Sequence, residues 1–307
     1  MMTHPIKRLA PALLILAVAT VAVAEIAGQA QRPPATAVAA ATGTRPPVGE
    51  DSVNFLVLGD FGTGDRAQYA VADQMWKSHQ VFPYQFAITL GDNIYGSERP
   101  QDFAEKFEIP YKPLLDADIP FHASLGNHDD PNQRYYKPFG MGGERYYTYQ
   151  KKNVRFFALD SNYMDKDQQA WLEQALEDSD AEWNIAYAHH PMYSSGGRHG
   201  SEVDLRTIVE PLFVKYGVNV VFAGHEHFYE RLKPQKGIHY FTSGGGAKLR
   251  AGDIRTGPLT AKGFDTDRSF MLVEIDGDVL RFQAISRLGM VVDSGEILRQ
   301  AKPDAKS

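Results

Sequence analysis

The sequence predicts an α/β domain whose ligands gather at the carboxyl ends of its strands. Three observations point there. Apolar runs of strand length alternate with amphipathic helical stretches as far as residue 223. The pattern then becomes strand-rich. Polar residues, mainly Asp, Asn and His, follow directly on the apolar runs, and in open α/β sheets ligands bind at the carboxyl ends of strands.

The elements follow in chain order. The run Val53–Leu58 is apolar throughout and stops at Gly59-Asp60. Tyr69, Ala72, Met75 and Trp76 recur at helical spacing and predict a helix over 66–80. Phe86–Leu90 ends at Gly91-Asp92, Phe121–Leu125 at Gly126-Asn127, and Val154–Leu159 at Asp160. The stripe Trp171, Leu172, Leu176 predicts a helix over 167–178, and Asn184–Ala188 is a strand ending at His189. A helix over about 202–216 leads to Val218–Ala223, which stops at Gly224-His225. Beyond it, 238–242, 269–275, 279–286 and 290–297 read as strands joined by short turns such as Asp276-Gly277-Asp278. The alternating part predicts a mixed or parallel sheet with helices outside. The strand-rich end is expected to form a second sheet packed on the first.

The 307 residues, 43% of them hydrophobic, suffice for a large core. A net charge of −6 argues against a nucleic-acid binder. It leaves room for a positive site, because bound metal ions do not enter the count. With no cysteine in the chain, any metal is held by oxygen and imidazole nitrogen. Residues 1–24 read as a signal peptide: His4, Lys7 and Arg8, an apolar run from Leu9 to Ala24, and an A-x-A site at Ala22-Val23-Ala24. The alternative is a retained membrane anchor, although the run is short for a span. Either way the remainder is exported, to the periplasm or the medium. Residues 25–51, rich in Ala, Pro, Gly and Thr, read as a flexible linker, and 52–300 as the folded domain.

Five motifs stand at strand ends: Gly59-Asp60-Phe61-Gly62, Gly91-Asp92-Asn93-Ile94-Tyr95, Gly126-Asn127-His128-Asp129, Ala188-His189-His190-Pro191 and Gly224-His225-Glu226-His227. Alone, a Gly-Asp after a strand is more often a turn than a ligand. Together, the set suits a pair of metal ions about 3.5–4 Å apart. A carboxylate has two oxygens and can touch both ions. Asn127 offers a neutral oxygen where more negative charge would repel a phosphate. His225 and His227, two residues apart, are expected to project to one side from an extended strand end.

The set resembles the purple acid phosphatases among the calcineurin-like metallophosphoesterases, and most of all the small tartrate-resistant type. The pattern D-x-G, G-D-x-x-Y, G-N-H-[DE], a strand-end His and G-H-x-H occurs here in order, over about residues 53–250. The resemblance implies a four-layer α/β/β/α sandwich and hydrolysis of phosphomonoesters by attack of metal-bound hydroxide on phosphorus. It implies one ion held by Asp60, Asp92, Tyr95 and His227, and another by Asp92, Asn127, His189 and His225, with Asp92 bridging. Many related enzymes open with D-x-H; here that position is Gly62, and Tyr95 appears instead. A phenolate suits Fe(III), so the implied cofactor is Fe(III) with a divalent ion: Fe, Zn or Mn. That donor set leaves the centre net positive and attractive to phosphate.

The resemblance also assigns roles to two histidines. His128 would contact the phosphate or the leaving group, and His199 would help protonate the leaving group; the alternative for His199 is a plain loop residue. His190 is open between packing and substrate contact, and Ser243-Gly244-Gly245-Gly246 between close approach to the site and a flexible turn. The link Ser161 to Lys166 is shorter than in the tartrate-resistant enzymes, so a more open mouth is expected. The expected partners are small phosphorylated substrates, with no nucleic acid and no stable membrane contact unless the leader is retained. The rival functions are a phosphodiesterase using the same ions and a non-catalytic phosphate- or metal-binding protein.

Overall fold

The computed structural model describes residues 51–300, together with Met1 and Gly49. Those residues aside, the expected leader (1–24) and linker (25–51) lie outside the described part. Among the described residues no helix is long and apolar enough to cross a membrane.

Two mixed sheets stack face to face. The first strands are β1 (Val53–Leu58), β2 (Phe86–Leu90) and β3 (Phe121–Ser124), paired in parallel. Helix α1 (Arg66–His79) runs from β1 to β2. A group of short turns leads on to β3: α2 (Pro100–Phe103), a π-turn over Ala104–Glu108, and α3 (Lys112–Asp116). The chain then crosses to the second sheet with β4 (Tyr147–Lys151), β5 (Val154–Ala158), β6 (Trp183–Ala188) and β7 (Val220–Ala223). Helices α4 (Lys166–Glu177) and α5 (Val203–Tyr216) connect β5 to β6 and β6 to β7.

The strand-rich end departs from expectation. It does not build a separate second sheet but is shared between the two. β8 (Tyr229–Leu232), β9 (His239–Ser243) and β10 (Thr260–Phe264) extend the second sheet, in the order β10-β8-β9-β7-β6-β5-β4. β11 (Ser269–Asp276), β12 (Val279–Ser286) and β13 (Val291–Leu298) return to the first, in the order β13-β12-β11-β1-β2-β3. The open edge of β1 explains the return: β11 pairs there antiparallel, Val53 opposite Ile275 and Val57 opposite Met271.

Three cores separate four layers. Because successive strand residues face opposite ways, Val53, Phe55 and Val57 point between the sheets, against Phe156, Ile185 and Phe222 of the second sheet. Leu56 and Leu58 point outward to Val71, Ala72 and Met75 of α1. On the far side Phe157, Ala186 and Val221 meet Leu172 and Leu176 of α4 and Val209 and Phe213 of α5. This is the α/β/β/α sandwich. Both faces of the central strands are covered, so they read as unbroken apolar runs.

Helices α1 and α4 begin at acidic caps. Asp65 accepts from the N–H groups of Ala67 and Gln68, and Asp165 from that of Gln168. The apolar stripe of α1 is turned relative to the expected one. Val71, Ala72 and Met75 are buried, whereas Tyr69 is exposed and its hydroxyl donates to the Glu105 carbonyl. Strands β4, β8 and β10 were not expected; each is a short piece rich in polar residues.

Candidate metal centre

The five motifs converge at the carboxyl ends of β1, β2, β3, β6 and β7, from both sheets. Their backbone is unusual. Among the described residues, six other than glycine have positive φ, and three of them are Asp60 (57°), Asp92 (52°) and His225 (67°). Such left-handed residues carry a steric cost and cluster at functional sites. Here the turn after each strand aims the side chain back across the strand ends. Gly126 permits the crowding: a Cβ there would lie 2.2 Å from both the backbone N and Oδ1 of Asp92. His225 and His227 are presented by tight turns, not by the expected extended strand end. Glu226 N–H donates to the Gly224 carbonyl at 2.8 Å and Phe228 N–H to the Glu226 carbonyl at 2.7 Å.

The side chains fall into two groups. In one, the Tyr95 hydroxyl lies 3.2 Å from Asp60 Oδ1 and 3.4 Å from His227 Nε2, which is itself 3.4 Å from Asp60 Oδ1. In the other, His189 Nε2 lies 2.9 Å from Asn127 Oδ1, 3.1 Å from His225 Nδ1 and 3.4 Å from Asp92 Oδ1. Asp92 stands between them: ligand atoms of Asp60, Asp92 and His189 all lie within 4.8 Å of one another. The structure thus brings Asp60, Asp92, Tyr95, Asn127, His189, His225 and His227 together at the strand ends.

The donor chemistry fits cations. His189 Nδ1–H donates to the Leu90 carbonyl at 2.8 Å, which leaves Nε2 with a bare lone pair. That lone pair faces a carboxylate oxygen, an amide oxygen and a second imidazole nitrogen, and a positive ion at that point would be shared by all of them. Burial drives the imidazoles neutral, His225 down to about 2, His227 down to about 3 and His189 well below 6.5. Burial, then the neighbouring charge of Asp92, pushes the Asp60 carboxyl well above its ordinary value. Burial and both aspartates likewise raise the Tyr95 phenol. A bound ion inverts these penalties.

Around this centre, His128 is exposed, with its ring 5.0 Å from that of Tyr95; its N–H donates to Asp92 Oδ1 at 3.0 Å. His199 is exposed on a loop, its ring 4.3 Å from that of His225. His190 Nδ1 lies 2.9 Å from Ser161 Oγ, and its ring is 4.5 Å from that of His225. His190 lines a cleft of about 420 Å³ with Asn127, Ser161, Asn162, Tyr163 and Glu202, beside the short link at 161–166. The Ser243–Gly246 stretch is buried strut, not flexible turn: the Gly246 N–H donates to the Gly59 carbonyl, and a Cβ on Gly244 would sit 2.6 Å from Asp60 Oδ2.

Sequence reasoning missed several residues. Asp129, the last residue of its own motif, accepts from the N–H groups of Asn93, Ile94 and Gly126, and so locks two ligand loops together. Lys248 and Arg250 lie downstream of every motif and carried no signal. Lys248 Nζ lies 4.6 Å from the centre of the Tyr95 ring, and Arg250 Nη1 reaches Glu226 Oε2 at 3.2 Å.

A four-layer sandwich with a two-group cluster of Asp, Asn, His and Tyr at its strand ends defines a metallophosphoesterase. Residues 53–229 match the calcineurin-like phosphoesterase family, and the chain belongs to it. It is similar to purple acid phosphatase 17 of Arabidopsis thaliana, 28% identical over 254 residues that cover 70% of this chain and 74% of that protein. It is similar also to tartrate-resistant acid phosphatase type 5 of Oryctolagus cuniculus, 26% identical over 238 residues, 64% of this chain and 73% of that one. Among solved structures, GAP50, the anchor in the inner membrane complex of Plasmodium, shares the fold with a TM-score of 0.72 at 18% identity, over 83% of this chain and 91% of that chain. The chain is therefore a hydrolase of the calcineurin-like phosphoesterase family, similar to purple acid phosphatases, which use a dinuclear metal centre.

Proposed function

We propose that the protein is an exported acid phosphatase that hydrolyses small phosphomonoesters at a centre of Fe(III) and one divalent ion. The observation that carries this reading is Tyr95, whose phenol oxygen stands 3.2 Å from Asp60 Oδ1 and 3.4 Å from His227 Nε2. A hard anionic oxygen in that group suits Fe(III), and Gly62 leaves its position without the histidine that many related enzymes place there. Bound ions would supply an activated water and offset the charge gathering on the phosphoryl oxygens.

The chain's own residues do the rest. Asp60, Asp92, Tyr95 and His227 hold one ion, and Asp92, Asn127, His189 and His225 the other. His128, exposed beside Asn127, binds a phosphoryl oxygen. His199 carries a proton to the oxygen of the departing alcohol. Burial, then the charges of Arg250 and Arg198, lowers its pKa from 6.5. It therefore holds that proton only in a more acidic medium than an ordinary histidine needs, in keeping with work at acid pH. The leader read at residues 1–24 supports a periplasmic or secreted location. The net charge of −6 supports small phosphorylated substrates over nucleic acid.

The test is metal analysis with a visible spectrum, then rates on p-nitrophenyl phosphate and its bis-ester. The expected protein is purple or pink, loses its colour in Tyr95→Phe, and prefers the monoester. A colourless, fully active zinc or manganese protein would refute the iron assignment. Faster cleavage of the bis-ester would make it a phosphodiesterase. Absence of turnover in metal-loaded protein would leave a binding protein on the same fold.

A further inference from the structure

Between the two histidines of the Gly224–His227 motif stands Glu226, whose side chain turns away from the centre and is fully buried. Its carboxylate fills the loop 194–201, which carries His199. Oε1 accepts from the Gly200 N–H at 2.7 Å and lies 3.5 Å from Ser194 Oγ, and Oε2 takes Arg250 Nη1 at 3.2 Å. A Cβ on Gly196 would lie 2.1 Å from Oε1, so only glycine lets the loop close over it.

Four residues on, the equally buried Glu230 holds the other limb. Oε2 accepts from the Ser195 N–H at 2.9 Å, and Oε1 from Thr260 Oγ1 at 3.0 Å; that hydroxyl lies 2.6 Å from Ser195 Oγ. The base of the loop is tied by the Ser194 N–H donating to Ser201 Oγ at 2.9 Å. Its outer edge is stitched to 253–255: Gly197 N–H donates to the Asp253 carbonyl at 2.9 Å, and Arg255 N–H to the Ser195 carbonyl at 2.8 Å.

This arrangement needs a reason. Burying carboxylates is costly unless their oxygens are hydrogen-bonded, and here one loop supplies the Gly200 and Ser195 N–H groups, with Arg250 and Thr260 donating from outside it. The loop, Ser-Ser-Gly-Gly-Arg-His-Gly-Ser, has no apolar side chain with which to anchor itself. Without a partner it would sample many conformations. Both carboxylates stand on the segment that also supplies His225 and His227, so the loop is indexed to the metal ligands.

We propose that Glu226, seconded by Glu230, is a positioning residue: its buried carboxylate fixes the His199 loop to the metal-ligand segment and so sets where the imidazole meets the leaving group. The inference rests on the reading of His199 as the donor of the leaving-group proton. Its test is built to separate the two ideas.

The metal-loaded enzyme is compared with Glu226→Ala, Glu226→Gln and His199→Ala on two monoesters. p-Nitrophenyl phosphate has a leaving group that departs with little need of a proton; glycerol phosphate releases an alcohol that needs one. His199→Ala is expected to lower kcat about a hundredfold on glycerol phosphate and only a few fold on the nitrophenyl ester. Glu226→Ala is expected to reproduce that selectivity at about ten- to a hundredfold, since a misplaced group loses most of its effect, with KM and metal content near those of the parent. Glu226→Gln keeps an oxygen for the Gly200 N–H and is expected to recover most of the loss. Amide exchange over 194–201 is expected to speed up in Glu226→Ala. Equal losses on both substrates, loss of metal, or unchanged exchange over 194–201 overturns the clamp. If His199→Ala fails to discriminate while Glu226→Ala still frees the loop, the role of His199 falls and the clamp stands.

Discussion

Replacing His122 with Phe should make the protein more resistant to acid, by an amount the structure sets. His122 lies on β3 with its ring 4.1 Å from Tyr149 and 5.7 Å from Phe86, and neither ring nitrogen has a hydrogen-bond partner among the described residues. Burial, then the charge of Lys151, holds its pKa down at about 4 against an ordinary 6.5. The unfolded chain therefore takes up this proton as the pH falls through 6.5, while the folded chain resists until about 4. The associated stability is present above 6.5 and is lost as the pH drops through that window. Linkage puts the loss at about 2 kcal/mol by pH 5 and about 3 kcal/mol by pH 4. Phenylalanine keeps the ring contacts and has no proton to gain. The assay is urea unfolding of parent and His122→Phe at pH 7 and pH 5, with metal held constant because a ligand of the folded state adds its own stability. At typical urea slopes, 2 kcal/mol moves the midpoint by roughly 1 M. A gap between the two proteins that stays the same from pH 7 to pH 5 refutes the reasoning.

Three further outcomes are expected. Gly126→Ala should lose metal and at least about tenfold in activity, because its Cβ would lie 2.2 Å from the Asp92 backbone and carboxylate; a metal-replete, active variant would show that the ligand loops can yield there. Chelation should lower the thermal midpoint, and added metal at about a thousand times its dissociation constant should restore about 4 kcal/mol; a midpoint indifferent to chelator would separate the centre from folding. Phe156→Ala should cost about 3–5 kcal/mol, since this fully buried ring packs edge-on to Phe55 and Phe86 at 5.3 and 5.4 Å between the sheets, and calorimetry at neutral pH measures it.

How much of this could be read from the sequence depended on whether the cause was local. Runs such as Val53–Leu58 and Phe86–Leu90 announce buried strands because both their faces are covered, and the Asp or Asn that follows each run stands out against it. The candidate ligands were legible for that reason. The sharing of late strands between the sheets was not, because the pairing of Val53 with Ile275 joins positions more than two hundred residues apart and follows from the free edge of β1. Strands β4, β8 and β10 escaped because polar residues break up their apolar pattern, and pairing with a neighbour is what holds them extended. Tyr69 was misplaced because a stripe counted by spacing alone does not say which of two adjacent rows meets the sheet.

The turns at the ligands show why strand ends, rather than strands, carry the chemistry. Left-handed backbone at Asp60, Asp92 and His225 costs each residue roughly 1–2 kcal/mol. No apolar contact requires it. What requires it is that donors from two sheets reach one small volume, where the Asp60 carboxylate accepts from the His225 N–H at 2.8 Å and the Asp92 carboxylate from the His128 N–H at 3.0 Å. Asp60 and Asp92 are thus each held by the backbone of another motif. Loss of one turn therefore propagates to the whole cluster, whereas Glu226 and Glu230, facing the opposite way, carry the same segment's order out to the loop of His199. His225 and His227 and the residue proposed to release the product alcohol are in this way positioned by the two faces of one short stretch, 225–230.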